Sequence, residues 1–225
     1  LWPARAGLKP ALVFDRALIR NMVGFNTSNY IANIMLYAPA LIMPLLITST
    51  IGPEAAAYFY YPIMIYGLLS IIPTSISQSL LAEGSHTTKD LKTNVKKAFL
   101  LSYALLIPSA LLIILLGKYI LLLFGSSYSE NSFKLLQLLA FSSLFSALNI
   151  IYIAINNIRH KVRNVVAVTA MASAGIFLIS LILMESGLTG VGLAWIAGHF
   201  IANLFVYADI LVHKKRGKSI TEVEG

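Results

Sequence analysis

The sequence predicts an all-α integral membrane protein with six transmembrane helices, and three observations lead to this fold class. Charged residues make up only 12% of the chain and apolar residues 58%, against about 25% and 45–50% in soluble domains. Basic residues concentrate in alternate connections between apolar stretches. Six such stretches lack Lys, Arg, Asp and Glu, and each reaches or approaches the roughly 20 helical residues that cross a bilayer. These predicted spans are 27–50, 55–82, 98–116, 135–156, 164–184 and 187–208.

The distribution of basic residues predicts how the spans are oriented. Of the 17 Lys and Arg residues, all but Lys118 and Lys134 precede the first span, follow the sixth, or lie between the second and third or the fourth and fifth. Basic loops remain in the cytoplasm, so we expect a multi-pass protein of the cytoplasmic membrane with both ends cytoplasmic. The net charge of +8 then reflects contacts with anionic membrane lipids, and we expect no nucleic acid partner.

The chain divides into three parts. Residues 1–26 are a cytoplasmic lead-in, in which 14–22 alternates apolar and basic residues as an amphipathic surface helix does. Residues 27–212 hold the six spans, and residues 213–225 form a basic cytoplasmic tail. Because the sequence starts at Leu1 without an initiator Met, we expect it to begin partway through a longer protein.

Polar side chains recur on one face of the first span. Spacings of four, three and four residues place them on the same side of a helix, within its cytoplasmic half. Amide groups are costly in lipid, which favours a polar cavity, and Asn and Tyr both donate and accept hydrogen bonds. The predicted lining of this cytoplasmic mouth is Asn26, Asn29, Tyr30, Asn33 and Tyr37.

A stripe of small and hydroxylated residues follows the second span: Gly67, Ser70, Thr74 and Ser77, with Gln78 adjacent. Two interpretations are open. Small and hydroxylated residues are the usual contacts between membrane helices, because they let backbones approach closely. The same stripe is also suited to line a cavity, and under that interpretation Thr74 and Gln78 are substrate-pathway candidates.

The fourth and sixth spans each contribute one further candidate. Asn149 lies on the polar face of the fourth span, and His199 lies near the middle of the sixth. His199 is either a proton relay or substrate contact, or a neutral imidazole hydrogen-bonded to a neighbouring helix. Arg20, just before the first span, is a candidate rim cation.

Signatures of catalysis and of metal or cofactor binding are missing from the sequence. It contains no Cys, which excludes disulfides and thiolate metal sites, and its four His residues lack metal-ligand spacing. No phosphate-binding GxxxxGK[ST] loop is present. We therefore expect no cofactor, no metal site and no enzymatic activity.

Several segments carry a resemblance to a known family. They are FDRALIRNMVGF at 14–25, IGPEAAAYFYYPIMI at 51–65, IPTSISQSLLAEGS at 72–85, LLLFGSSYSENSFKLLQLLAF at 121–141 and GLTGVGLAWIAGHFIANLF at 187–205. Together they resemble the second half of the polysaccharide-transport flippases, which export lipid-linked oligosaccharides. These flippases belong to the same exporter superfamily as the multidrug and toxin extrusion (MATE) transporters.

The resemblance implies a fold and a mechanism. In this family two six-helix lobes face each other across a central cavity, so the chain would be the carboxy-terminal lobe of a MATE-like two-lobe transporter, partnered by an amino-terminal lobe. Alternating access would come from rocking of the lobes around the substrate. Family members commonly hold the diphosphate of the substrate with cations in the cavity, whereas the six spans of this chain contain none. The cation would have to come from the partner lobe or from the rim.

Three functions follow from these observations. The first is a flippase for lipid-linked glycan, with the Asn and Tyr stripe at its cytoplasmic mouth. The second is a cation-coupled multidrug antiporter of the same superfamily, which normally requires a mid-membrane acid that these spans lack. The third is a membrane scaffold for glycosyltransferases, although a scaffold would not need polar faces confined to part of the bilayer.

Overall fold

The structure is a computed structural model that describes residues 16–86 and 91–221. Within these residues the side chains of 16–22, 24–25, 84–86 and 213–221 are outside the description. The first part of the predicted lead-in, the Arg20 side chain and the last four residues of the predicted tail therefore lie outside the described parts.

The described residues form six long helices and two short elements. The prediction of an all-α membrane protein is confirmed. The elements in chain order are α1 (Arg16–Thr50), α2 (Pro53–His86), α3 (Leu91–Leu122), α4 (Ser126–Asn131), α5 (Phe133–Ile158), α6 (Val162–Leu183), a 3₁₀ turn (Met184–Ser186) and α7 (Gly187–Thr221). The amphipathic segment predicted at 14–22 is, from Arg16 onward, continuous with α1 rather than separate from it.

Five stretches in the described part of the chain are long and apolar enough to cross a membrane, and the fifth, Val162–Val212, contains α6, the 3₁₀ turn and α7 as far as Val212. The 3₁₀ turn ends at Gly187, whose φ of 63° favours glycine, and here the chain reverses. The two helices then pack side by side, since a Cβ on Gly175 of α6 would lie 2.9 Å from Cα of Gly198 in α7. The six long helices thus stand at the places of the six predicted spans.

Helix α5 is the centre of the bundle and α3 lies at its edge. In the most apolar part of α5 56% of the residues are buried, compared with 17% in α3. Helix α5 packs against α2, α3, α6 and α7, while α1 packs mainly against α6. Two apolar clusters lie toward opposite ends of the bundle, one around Trp195 and Phe59 and the other around Tyr152 and Val206.

Candidate functional site

A cavity of about 500 Å³ lies between five of the six long helices, α1, α2, α5, α6 and α7. Its rim and floor differ in exposure. Tyr37 of α1 and Gly67 and Gln78 of α2 are exposed, whereas Trp195 and His199 of α7 are buried. The cavity is therefore a cleft that opens between α1 and α2, with α5, α6 and α7 as its back wall.

Helix α2 forms the longest wall of the cavity. Its lining residues begin at Ile63 and end at Gln78, a distance of about 22 Å at 1.5 Å per residue. The hydroxyl of Ser70 donates to the carbonyl of Tyr66 at 3.0 Å, and that of Thr74 to the carbonyl of Ser70 at 2.7 Å. Because each hydroxyl is already satisfied as a donor, it is placed to accept a hydrogen bond from a ligand.

Three polar side chains from three helices meet at the floor of the cavity. Nε2 of His199 lies 3.0 Å from the hydroxyl of Tyr66, and its Nδ1 lies 3.2 Å from Nδ2 of Asn149. As arranged, Asn149 donates to Nδ1, so the ring proton resides on Nε2 and faces Tyr66. This triad joins α2, α5 and α7, and a buried network of this kind stabilises one arrangement of the helices when its members are satisfied.

A second polar cluster lies near the C-terminal end of α5. The carboxylate of Asp209 accepts hydrogen bonds from the hydroxyl of Tyr152 at 2.8 Å and from Nδ2 of Asn164 at 3.2 Å. Asn164 also lies 3.3 Å from Oδ1 of Asn156. These contacts hold the ends of α5, α6 and α7 together, and none of the four residues lines the cavity.

The structure brings five of the predicted pathway residues to the cavity: Tyr37, Thr74, Gln78, Asn149 and His199. The remaining candidates on α1 lie apart from it, and Asn26, Tyr30 and Asn33 are exposed on the helix surface with Asn29 partly exposed. The reason is geometric. Only the single turn of α1 from Leu36 to Ala40 reaches the cavity, whereas the amide stripe lies toward the N-terminus of the helix.

The structure also bears on the two alternatives left open by the sequence. Gly67, Ser70, Thr74 and Gln78 line the cavity, while Ser77 is only 5% exposed and packs inside the bundle, so the stripe on α2 does both. His199 has the hydrogen-bonded environment expected of a structural imidazole, and a role as proton relay stays a prediction.

Some lining residues were not predicted as candidates. Tyr66 lies four residues before Ser70, so the spacing that identified the stripe would also have included it. Thr169 and Ser173 line the cavity from α6, and their spacing of four was a usable signal in a span for which we proposed no site. The hydroxyl of Ser173 donates to the backbone carbonyl of Met35, which ties α6 to α1.

Comparison with known proteins yields one relative and no family model. A protein of Shigella flexneri named "Putative O-antigen transporter" is 29% identical over 127 residues, which cover 55% of this chain and 29% of the relative. The chain is a multi-pass membrane protein with partial similarity to this relative. It matches less than a third of that relative's length. No family model and no solved structure matches the chain.

Proposed function

We propose that the chain is the carboxy-terminal lobe of a transporter that moves a lipid-linked oligosaccharide across the cytoplasmic membrane by alternating access. The observation that carries this proposal is the cleft between α1 and α2. Its walls carry polar groups, which a lobe that only packed its helices together in lipid would not need. The similarity to an O-antigen transporter points to the same class of substrate. We place both ends of the chain in the cytoplasm, in line with its basic loops.

The lining of the cleft suits a glycan. It combines amides and hydroxyls, as in Gln78 and Thr74, with the aromatic rings of Tyr37, Tyr66 and Trp195. Such groups hydrogen-bond to sugar hydroxyls and cover the apolar faces of sugar rings. Because the rim lies open between two helices, the glycan enters the cleft from the side while its lipid tail remains in the bilayer.

The diphosphate of such a substrate requires a cation that the described lining of the cleft does not contain. In our proposal the amino-terminal lobe, packed across the cleft, supplies this charge, with Arg20 as a further contact at the cytoplasmic rim. The exposed stripe of Asn26, Asn29, Tyr30 and Asn33 then faces the cytoplasmic entrance. Membrane lipids cover the apolar outer faces, such as that of α3.

Replacing Ser70 by leucine in the full-length protein is expected to reduce surface glycan at least tenfold, because the larger apolar side chain fills the cleft and removes a hydrogen-bonding group. Ser79→Leu is the matched control. Its hydroxyl donates to the carbonyl four residues earlier in the same way, but it is exposed and lies outside the cavity. Each variant would be expressed in cells that lack the chromosomal gene for this protein, and surface glycan would be measured on gels. The two variants would be compared at equal amounts of membrane-inserted protein.

Equal glycan in the two variants would contradict the proposal. If Ser70→Leu leaves surface glycan intact and instead raises susceptibility to cationic drugs, the lobe belongs to a drug antiporter. Loss of glycan in both variants, together with loss of co-purifying glycosyltransferases, would indicate a scaffold.

A further inference from the structure

The amide of Asn149 is incompletely satisfied at the floor of the cavity. Asn149 is 3% exposed, and its Oδ1 has no hydrogen-bond partner among the described residues. Six other buried side-chain atoms in the described parts also lack a partner, but none of them belongs to a residue that lines the cavity. A buried polar atom without a partner is uncommon in a folded protein and calls for an explanation.

The orientation of the amide does not change this conclusion. If its two polar atoms exchange places, Oδ1 accepts from Nδ1 of His199 and Nδ2 becomes the atom without a partner. Tyr66 adapts to either tautomer of the imidazole, because a hydroxyl both donates and accepts. In each arrangement one polar atom of Asn149 remains for a ligand. A sugar hydroxyl fits both arrangements, since it is also a donor and an acceptor.

The surroundings of Asn149 specify an uncharged ligand. The described lining contains no Lys, Arg, Asp or Glu, so a carboxylate or phosphate would enter without a counter-charge, at a large cost in a low-dielectric site. The ring of Tyr66 is partly exposed at the same floor, and the edge of the buried Trp195 ring reaches it. Aromatic rings beside a few placed polar groups are typical of pockets that orient a small neutral ligand.

We propose that the floor of the cavity is a subsite for one uncharged sugar residue, whose hydroxyls bond to the Asn149 amide and the Tyr66 hydroxyl while its ring lies near the edge of Trp195. The inference rests on the proposed glycan transport and specifies which part of the substrate this lobe binds. This lobe selects the neutral part of the glycan, and the diphosphate is bound elsewhere.

Trp195 provides a direct readout of this subsite. The chain contains two tryptophans, Trp2 and Trp195, so Trp2→Phe, with any tryptophan outside the chain also replaced, leaves a single fluorophore at the floor. The purified full-length protein would be titrated with glucose, galactose, rhamnose and N-acetylglucosamine, and in parallel with glucuronate and pyrophosphate. We expect a saturable change in fluorescence with at least one neutral sugar and none with the two anions.

Two variants identify the bonding groups. Asn149→Leu is expected to weaken sugar binding at least tenfold, and Tyr66→Phe, which keeps the ring and removes only the hydroxyl, at least threefold. Asn157→Leu is the control, because Asn157 lies on the same helix and also has a buried Oδ1 without a partner, yet it is outside the cavity. Thermal unfolding of each variant separates misfolding from loss of binding. If Asn149→Leu does not fold, the Tyr66→Phe result decides.

Three results would overturn the subsite: no saturable change with any of the neutral sugars, tighter binding of pyrophosphate than of sugar, or sugar binding unchanged in Tyr66→Phe. These failures are distinguishable from failure of the proposed function. Surface glycan lost in Ser70→Leu cells together with no sugar binding would leave glycan transport standing and remove only the subsite. Intact surface glycan in those cells would remove the transport proposal itself.

Discussion

Replacing Gly198 by alanine is expected to lower the free energy of unfolding by about 3 kcal/mol, the upper end of the usual cost of overpacking. An added Cβ would lie 2.6 Å from the backbone nitrogen of Ile176 and 2.8 Å from the carbonyl oxygen of Ala172. Backbone atoms of a packed helix cannot move aside as a flexible side chain can. Helices α6 and α7 would therefore move apart, and the back wall of the cavity, which they form together with α5, would be disrupted.

Gly67→Ala is the matched control for this prediction. Gly67 is also a mid-helix glycine, but an added Cβ there meets nothing within 4 Å. Alanine favours a helix over glycine by about 1 kcal/mol, so the control is expected to be neutral or slightly stabilising. Thermal unfolding in detergent would measure both variants. Equal unfolding temperatures would show that α6 and α7 do not approach as closely as the structure indicates.

The second large effect is expected at His199. In His199→Leu both the Tyr66 hydroxyl and the Asn149 amide lose their hydrogen bond to the ring. The buried amide keeps only the 3.5 Å contact of Nδ2 with the backbone carbonyl at position 199, and a buried group left unsatisfied costs about 1–3 kcal/mol. His199→Gln retains a donor and an acceptor and should lose less stability. The sharper test is a double substitution. Adding Asn149→Leu to His199→Leu should raise the free energy of unfolding again by about 1 kcal/mol. The second substitution removes a buried amide that has already lost its hydrogen bond to the ring, so only the long contact with the backbone carbonyl is lost with it.

Unfolding measured for the four combinations of these two substitutions gives the coupling energy directly. Additive losses at positions 149 and 199 would mean that the two side chains do not interact. A non-zero coupling energy would identify the floor of the cavity as a preorganised polar network. The sequence suggested this only as one of two interpretations of His199, that of an imidazole hydrogen-bonded to a neighbouring helix.

Prediction from sequence succeeded for features that depend on one helix alone, such as its position in the chain and the residues that share one of its faces. The uncharged stretches coincide with the six long helices of the described residues. The reversal between α6 and α7, which the sequence located only as a short connection, occurs at Gly187 because glycine adopts the positive φ that this turn requires. The face of α2 that carries Ser70 and Thr74 also follows from helical periodicity. These features depend on composition and spacing, which are visible in the chain.

Prediction was weaker where several helices must meet. The spacing of Asn26, Tyr30 and Asn33 placed them correctly on one face of α1, but it could not show that only the turn near Tyr37 reaches the cavity. Tyr66 was missed because its importance comes from His199, which is 133 residues away in sequence. Which residues share a cavity is set by helix packing, and packing is not encoded in the period of any single helix.

Cysteine accessibility at Thr74 tests the central claim, that the cleft between α1 and α2 is the path of the glycan. The chain contains no cysteine, so Thr74→Cys places a single thiol on the cleft wall, once any cysteine outside the chain is replaced. Ser109→Cys is the control, since Ser109 makes the same bond to the carbonyl four residues earlier but lies outside the cavity, partly exposed on α3, which we place against lipid. The rate of reaction with a membrane-impermeant maleimide would be measured in open membrane fragments.

We predict that the thiol of Thr74→Cys reacts readily, that its rate falls at least fivefold when lipid-linked glycan accumulates, and that the thiol of Ser109→Cys stays unreactive in both conditions. Reaction at position 74 as slow as that at position 109, or a rate that does not depend on the supply of glycan, would contradict the account.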